Sequence, residues 1–494
     1  MTQDRVILSD SEGSEKDNSD HESERSIEAI ILLEETMYKD IARLVLYRDL
    51  NRDSILTKVG DIIEDFELER EEKPALVSRC YTEIKRILDI STSFGFDRNL
   101  WQDYLTYVLV THENSFTLTC EKVGAGDGTV NGFAKHDYEI FMKLFHYDFT
   151  ALEQGLSIDC FSVITDYKSI PKREQIYNKN VSDKVRALSG KLSKAVDSDE
   201  FFGLMTDFYR DYGVGLFGLN KAFRVSEAGT VQGGGTAGGN QMGSELSIAY
   251  GGTDAISFTA ITNTDPVRLT DLVGYEIQKK KLMENTEAFV AGRRANNCLL
   301  FGDSGTGKST SIKALINEYY DRGLRMIEIY KHQMKLLPLV ISEIKNRNYR
   351  FIIYMDDLSF EDFETDYKYL KAVIEGGLEH RPENVLIYAT SNRRHLIRES
   401  WDDRSDVKME NGMHQSDTMQ EKLSLANRFG VTISYSRPSK KEFNLIVTEL
   451  KKRYPEIKLS DEEIVQQANA WELSHGGISG RTAQQFIDHL AGCA

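Results

Sequence analysis

Residues Gly302-Asp303-Ser304-Gly305-Thr306-Gly307-Lys308-Ser309 carry the densest chemistry in the chain, in the spacing G-x-x-x-x-G-K-S. An apolar run, Cys298-Leu299-Leu300-Phe301, leads into them, and STSIKALINEYY follows with helical character. Strand, glycine loop and helix in that order are what a phosphate-cradling loop needs. The glycines let backbone N–H groups point into one concavity, and the helix N-terminus adds positive potential beneath a chain of phosphates. The segment Gly302 to Thr310 is therefore expected to hold a nucleoside triphosphate, with Lys308 on the outer phosphates and the Ser309 hydroxyl in a Mg²⁺ shell. The competing reading is a glycine-rich strand-to-helix turn without a ligand. The strand, the lysine and the hydroxyl residue, each in its place, favour the phosphate loop.

A second apolar run, Phe351-Ile352-Ile353-Tyr354-Met355, ends in Asp356-Asp357, 48 positions after Lys308. In P-loop ATPases an acid at such a strand end holds the metal shell, and a second acid can orient the attacking water. Asp356 is the expected metal residue and Asp357 the expected water residue. Asp357 is one methylene shorter than the Glu usual in related ATPases, so Glu361 is a candidate helper, and slow hydrolysis with a nucleotide-driven switch is an alternative. Val385-Leu386-Ile387-Tyr388-Ala389 leads into Thr390-Ser391-Asn392, where Asn392 is the polar residue expected to reach the outermost phosphate and the water. Asn427-Arg428-Phe429-Gly430 precedes a last apolar run, and Gly477-Ile478-Ser479-Gly480-Arg481 opens a final helical stretch. Arg428 and Arg481 offer planar, permanent charge to a developing phosphoryl anion. The plainer alternative for each is a surface ion pair.

The elements that must position these residues alternate between strand and helix. Cys298–Phe301, Arg325–Tyr330, Phe351–Met355, Val385–Ala389 and Val431–Tyr435 read as strands separated by helical segments, the order of a parallel sheet covered on both faces. Ligands on such sheets gather at the carboxyl ends of the strands, where every candidate above falls or just beyond. After Pro438 the pattern is helical to residue 494. Upstream, Ile30, Leu33, Met37, Ile41 and Leu44 recur at helical spacing, and similar stripes follow near 55–66, 75–88, 100–110, 137–145 and 201–209. The aromatic clusters Trp101, Tyr104, Tyr107 and Phe141, Phe145, Tyr147 read as core, and His136 and His146 as structural histidines. Residues 225–256 are too rich in glycine for helix or strand and read as a tether. The expected division is a disordered acidic tail over 1–25, a helical domain over 26–224, the tether, an α/β core over 257–437 and a helical lid over 438–494.

Composition narrows the setting. The 494 residues are 40% hydrophobic and 28% charged, with a net charge of -17. That balance suits globular domains and disfavours non-specific adhesion to nucleic acid or anionic lipid. The sequence has neither an apolar run near the roughly 20 residues needed to span a bilayer nor a secretory pattern. Its five cysteines are odd in number and never in C-x-x-C spacing, which points to a reducing compartment, with the cytoplasm as the default.

The stretches FIIYMDDLSFE, YKYLKAVIEGGLE, NVLIYATSNRRHL and EKLSLANRFG make the second half resemble the AAA+ ATPases, and within them the group called domain of unknown function 815 (DUF815). The resemblance runs from about residue 265 to 494. It implies a P-loop α/β sheet with a C-terminal helical lid, and an Asp-Asp strand ending that looks like the group's own habit. It places Leu272, Val273 and Gly274 near adenine, makes Asn392 the first sensor, Arg428 an arginine finger acting in trans and Arg481 the lid's sensor arginine. A finger in trans implies a head-to-tail homo-oligomer. The expected function is Mg²⁺-dependent ATP hydrolysis coupled to remodelling or loading an unidentified protein or nucleic-acid-associated partner, with no membrane role. A slowly hydrolysing adaptor that recruits its partner through residues 26–224 is the first rival, and a small-molecule kinase the second.

Overall fold

The computed structural model describes residues 36–50, 52–169, 179–227, 248–250, 256–360, 367–376, 382–392 and 425–493. The acidic tail, Glu361, the polar stretch 401–420 expected to be a surface insertion, and most of the glycine-rich stretch lie outside the described residues. Two compact units make up the chain, Met1–Gly215 and Leu216–Ala494.

The first unit is helical among its described residues, and its caps explain several of the starts. Ser54, Asn99, Asn114 and Asp197 each accept a hydrogen bond from a first-turn N–H, opening the helices Ile55–Glu67, Leu100–Thr111, Ser115–Val123 and Ser198–Tyr212. Lys73–Phe94 starts with proline in its first turn and stops at Gly95 in the left-handed region. Trp101, Tyr104, Tyr107, Phe141 and Phe145 are buried, and the Trp101 Nε1–H donates to the Leu144 carbonyl at 2.8 Å. A hydroxyl chain runs through this core, Tyr47 to Tyr209 at 3.0 Å and Tyr209 to the Leu109 carbonyl at 2.8 Å.

The second unit is built on an eight-stranded sheet. Its strands are β1 (Ala222–Glu227), β2 (Ile248–Tyr250), β3 (Ile256–Ala260), β4 (Cys298–Gly302), β5 (Leu324–Glu328), β6 (Arg350–Met355), β7 (Val385–Ser391) and β8 (Val431–Tyr435). Their order is β2-β3-β1-β5-β6-β7-β4-β8. The six strands from β1 to β8 in that order pair parallel, while β3 is antiparallel to both β1 and β2. Pleating divides the side chains. Phe351, Ile353 and Met355 pack with Leu337, Val340 and Leu370 on one face. Ile352 and Tyr354 pack with Leu282, Phe289, Ile312 and Leu315 on the other. The sheet is mainly parallel, with helices on both faces.

The last three helices, Lys440–Lys451, Asp461–Ser474 and Gly480–Cys493, form the lid around their own core of Phe443, Val447, Ile464, Ala468, Ala483 and Ile487. Capping boxes at Ser439/Glu442 and Ser460/Glu463 open the first two. Among the described residues no helix is long and apolar enough to cross a membrane.

The expected boundary at Arg224 and tether over 225–256 differ from what the chain does. Residues from Leu216 belong to the second unit, and strands occupy both ends of the supposed tether. The reason is a buried cation. The Arg325 guanidinium donates to the carbonyls of Phe217 at 2.6 Å and Gly218 at 3.3 Å, and lies 4.3 Å from the Tyr320 and Tyr349 ring centres. Phe223 and Val225 then carry β1 into the core beside β5.

Candidate functional site

The loop after β4 is bolted to the end of β8. Gly302 has φ 132°, and a Cβ there would meet the Tyr435 carbonyl oxygen at 2.0 Å, so only glycine fits. The Asp303 N–H donates to the Tyr435 carbonyl, and the Arg437 N–H donates to the Asp303 carboxylate, both at 3.0 Å. Gly307 at φ 88° is pressed by the Leu272 side chain, 2.7 Å from where a Cβ would stand. The helix Lys308–Tyr319 starts there, with its N-terminus at the loop.

Around this N-terminus the side chains form two hydrogen-bonded sets. The nearly buried Lys308 ammonium donates to the carbonyls of Gly302 at 2.9 Å and Asp303 at 2.6 Å, and to Asn392 Oδ1 at 3.1 Å. The Asn392 amide donates in turn to the Asp357 carboxylate at 2.8 Å, so one amide bridges the lysine and the second acid. In the other set, the hydroxyls of Ser309 and Thr390 both donate to Asp356 Oδ1 at 2.6 Å. Thr390 Oγ1 also accepts the Asp357 N–H at 2.9 Å, and Asp357 sits at φ 49°, a left-handed turn that separates the directions of the two acids.

Burial lowers the Lys308 pKa below the usual lysine value, while Asp357, Asp303 and Asp356 pull against that shift. For Asp356, burial alone would raise the carboxyl. The hydrogen bonds from Ser309 and Thr390 outweigh it, and the pKa falls below the ordinary aspartate value.

These groups open into a cleft of about 810 Å³. Residues Ser304 to Thr310, Asp356, Asp357, Asn392, Val273 and Arg481 all line it. Gly302 and Asp303 lie at the base of the loop, and Gly274 (φ 82°) forms the turn behind Val273. The lid closes the far side. The Arg481 N–H donates to the Gly305 carbonyl at 3.2 Å, so the helix Gly480–Cys493 aims a second N-terminus at the loop. Leu272, Ile446 and Leu450 add an apolar wall, and Arg453 joins lid to core by donating to the Asp271 carbonyl at 2.7 Å.

Arg428 is elsewhere. β8 pairs in register with β4 from Cys298–Val431 to Gly302–Tyr435, and Arg428 precedes β8. It therefore lies at the amino edge of the sheet, a strand length of roughly 17 Å from its own phosphate loop. There it forms an ion pair with Glu375.

Two helix N-termini, an ammonium and a guanidinium give this cleft a positive potential of the kind that suits a polyanion. A serine hydroxyl touching a carboxylate offers hard oxygen ligands, which suit Mg²⁺. Among the described residues no group of three or more His, Cys, Asp or Glu could hold a metal by itself.

Sequence reasoning missed Thr390 as the pivot of both acids, although its i, i+2 relation to Asn392 puts the two on one side of the strand. It also missed Arg453 and Asp271, for which the spacing carries no signal because the lid brings them in.

The family described as "Protein of unknown function (DUF815)" matches residues 247–494. No curated protein matches. Solved structures of Thermotoga maritima RuvB, described as a Holliday junction branch migration motor, align at 14% identity and a TM-score of 0.28, covering 45% of this chain and 71% of that one. A proline-to-glycine mutant of the same protein aligns at 14% identity and a TM-score of 0.29, covering 45% and 72%.

Proposed function

The chain belongs to the DUF815 family, and we propose that it is a Mg²⁺-dependent ATPase whose nucleotide site is completed by a second copy of itself. The support that carries most weight is the convergence, in one cleft, of the Lys308–Asn392–Asp357 bridge and the Ser309–Asp356 pair on the phosphate loop.

In this reading the loop N–H groups from Ser304 to Thr310 and the Lys308 ammonium bind the phosphates, and Val273 and Gly274 flank the base. Ser309 and Asp356 hold Mg²⁺, which when bound draws charge from the phosphate oxygens and orients them. Asp357 and Asn392 position the attacking water, and the Arg481 guanidinium holds phosphate from the lid. Arg428 cannot reach its own cleft, so its charge serves the site of a neighbouring protomer. Turnover then requires a head-to-tail assembly.

A second reading keeps nucleotide binding and makes hydrolysis slow, so that the protein works as a switch that recruits or loads a macromolecular partner. Its support is Asp357, a short carboxylate already engaged by Asn392. Calorimetry with ATP and ADP in Mg²⁺, followed by turnover per protomer across a protein-concentration series, tests both readings. Turnover that rises steeply on assembly supports the ATPase, and flat slow turnover with tight binding supports the switch. Absence of binding heat with either nucleotide removes both.

A further inference from the structure

Glu375 is the last residue of the helix Tyr367–Glu375, next to Gly376 at φ 72°. An acidic side chain at a helix C-terminus is locally unfavourable, because it adds to the negative end of the macrodipole. The Arg428 guanidinium offsets both charges. The meeting is set by packing rather than by two long side chains finding each other. Leu370, Val373 and Ile374 lie in the same apolar cluster as Leu425, Ala426 and Phe429, so the segments that carry the two charges share one core. Both side chains keep about a third of their surface open, 34% for the arginine and 31% for the glutamate. A polyanion approaching this edge can therefore compete for the guanidinium.

We propose that Glu375 is a latch on Arg428, which holds the arginine in the lone protomer and yields it only to the triphosphate of a neighbouring copy. The inference rests on the reading of Arg428 as a group that acts in trans. The physical basis is competition between anions. A carboxylate brings one negative charge and a triphosphate several, with more oxygens for a planar five-donor fork. A neighbour carrying ADP, or nothing, lacks the outermost phosphate and competes poorly. The docked phosphates also repel Glu375, which must turn away as the arginine leaves. The latch thus raises the threshold for assembly and makes that threshold depend on the nucleotide.

The test uses the full chain with Glu375→Gln, which keeps the side-chain shape and removes the charge. Sedimentation velocity in Mg²⁺ with ADP, and separately with ATP, gives the protein concentration at half-assembly, and ATP turnover is read over the same series. A partly exposed ion pair supports a shift of about two- to fivefold toward lower concentration. That shift is expected to be larger with ATP than with ADP, because only the triphosphate draws the arginine off the glutamate, with turnover at saturating protein unchanged. Glu375→Lys should move the midpoint further the same way, and the Glu375→Gln shift should vanish in an Arg428→Ala background. A midpoint that stays put or rises, an equal shift with both nucleotides, or a shift that persists without Arg428 overturns the latch. Undiminished turnover of Arg428→Ala at every concentration instead overturns the trans reading beneath it.

Discussion

Replacing Lys308 with alanine tests the nucleotide site at its most buried cation. Its three N–H bonds are all engaged, with the Gly302 and Asp303 carbonyls and the Asn392 amide oxygen, at 2.9, 2.6 and 3.1 Å. Binding a phosphate exchanges some of these neutral acceptors for charged ones. Each exchange swaps a neutral acceptor for an ionised one on the same charged donor and gains about 1–1.5 kcal/mol. Two exchanges, with the added attraction of a partly desolvated ammonium for the phosphate charge, come to about 3–4 kcal/mol. The dissociation constant of ATP should rise roughly a hundredfold to a thousandfold, and that of ADP by somewhat less. Stability should change little, because burial already disfavours the charged lysine and water can reach the carbonyls it leaves. Isothermal titration calorimetry measures the affinities, and a thermal melt confirms folding. A folded Lys308→Ala protein that binds ATP within about threefold of wild type would refute this account of the cleft.

Other substitutions reach other parts of the argument. Arg428→Ala should keep ATP affinity and lower turnover at saturating protein by roughly 10³-fold, measured by phosphate release. Gly302→Ala should abolish nucleotide binding and destabilise the second unit by at least about 3 kcal/mol in urea unfolding, because a Cβ would strike the Tyr435 carbonyl; a stable, ATP-binding alanine variant counts against the tie between loop and β8. In the first unit, burial raises the Asp103 carboxyl to about 6, with a hydrogen bond from Ser189 opposing. A raised carboxyl means that the folded chain takes up a proton more readily than the unfolded one, so its cost is absent below the unfolded value of roughly 4, grows as pH rises and is complete above the folded value. Asp103→Asn should therefore gain up to about 3 kcal/mol at pH 7.5 and almost nothing near pH 3, by urea denaturation at both values. An equal effect at both pH values would mean that the carboxylate is not desolvated.

The order of elements in the second half was legible because its chemistry is local. A glycine loop between an apolar strand and a helix has one backbone solution, and each acid or amide candidate follows directly from its own strand. The five strands expected from residue 298 onward all form, with ends shifted by two residues at most. What the chain order could not carry is the interleaving. β4 lies between β7 and β8, so Asn392, Asp357 and Lys308 meet only once the sheet is assembled, and the same register puts Arg428 at the far edge. The lid contacts of Arg481 and Arg453 likewise depend on three helices that pack around a core of their own. The boundary at Leu216 was hidden because the residue that draws the preceding segment in, Arg325, lies more than a hundred positions away and looks in isolation like a surface cation. Short-range chemistry is written in spacing. Long-range charge pairing, of Arg325 with backbone carbonyls and of Arg428 with Glu375, is decided by which surfaces the fold brings together.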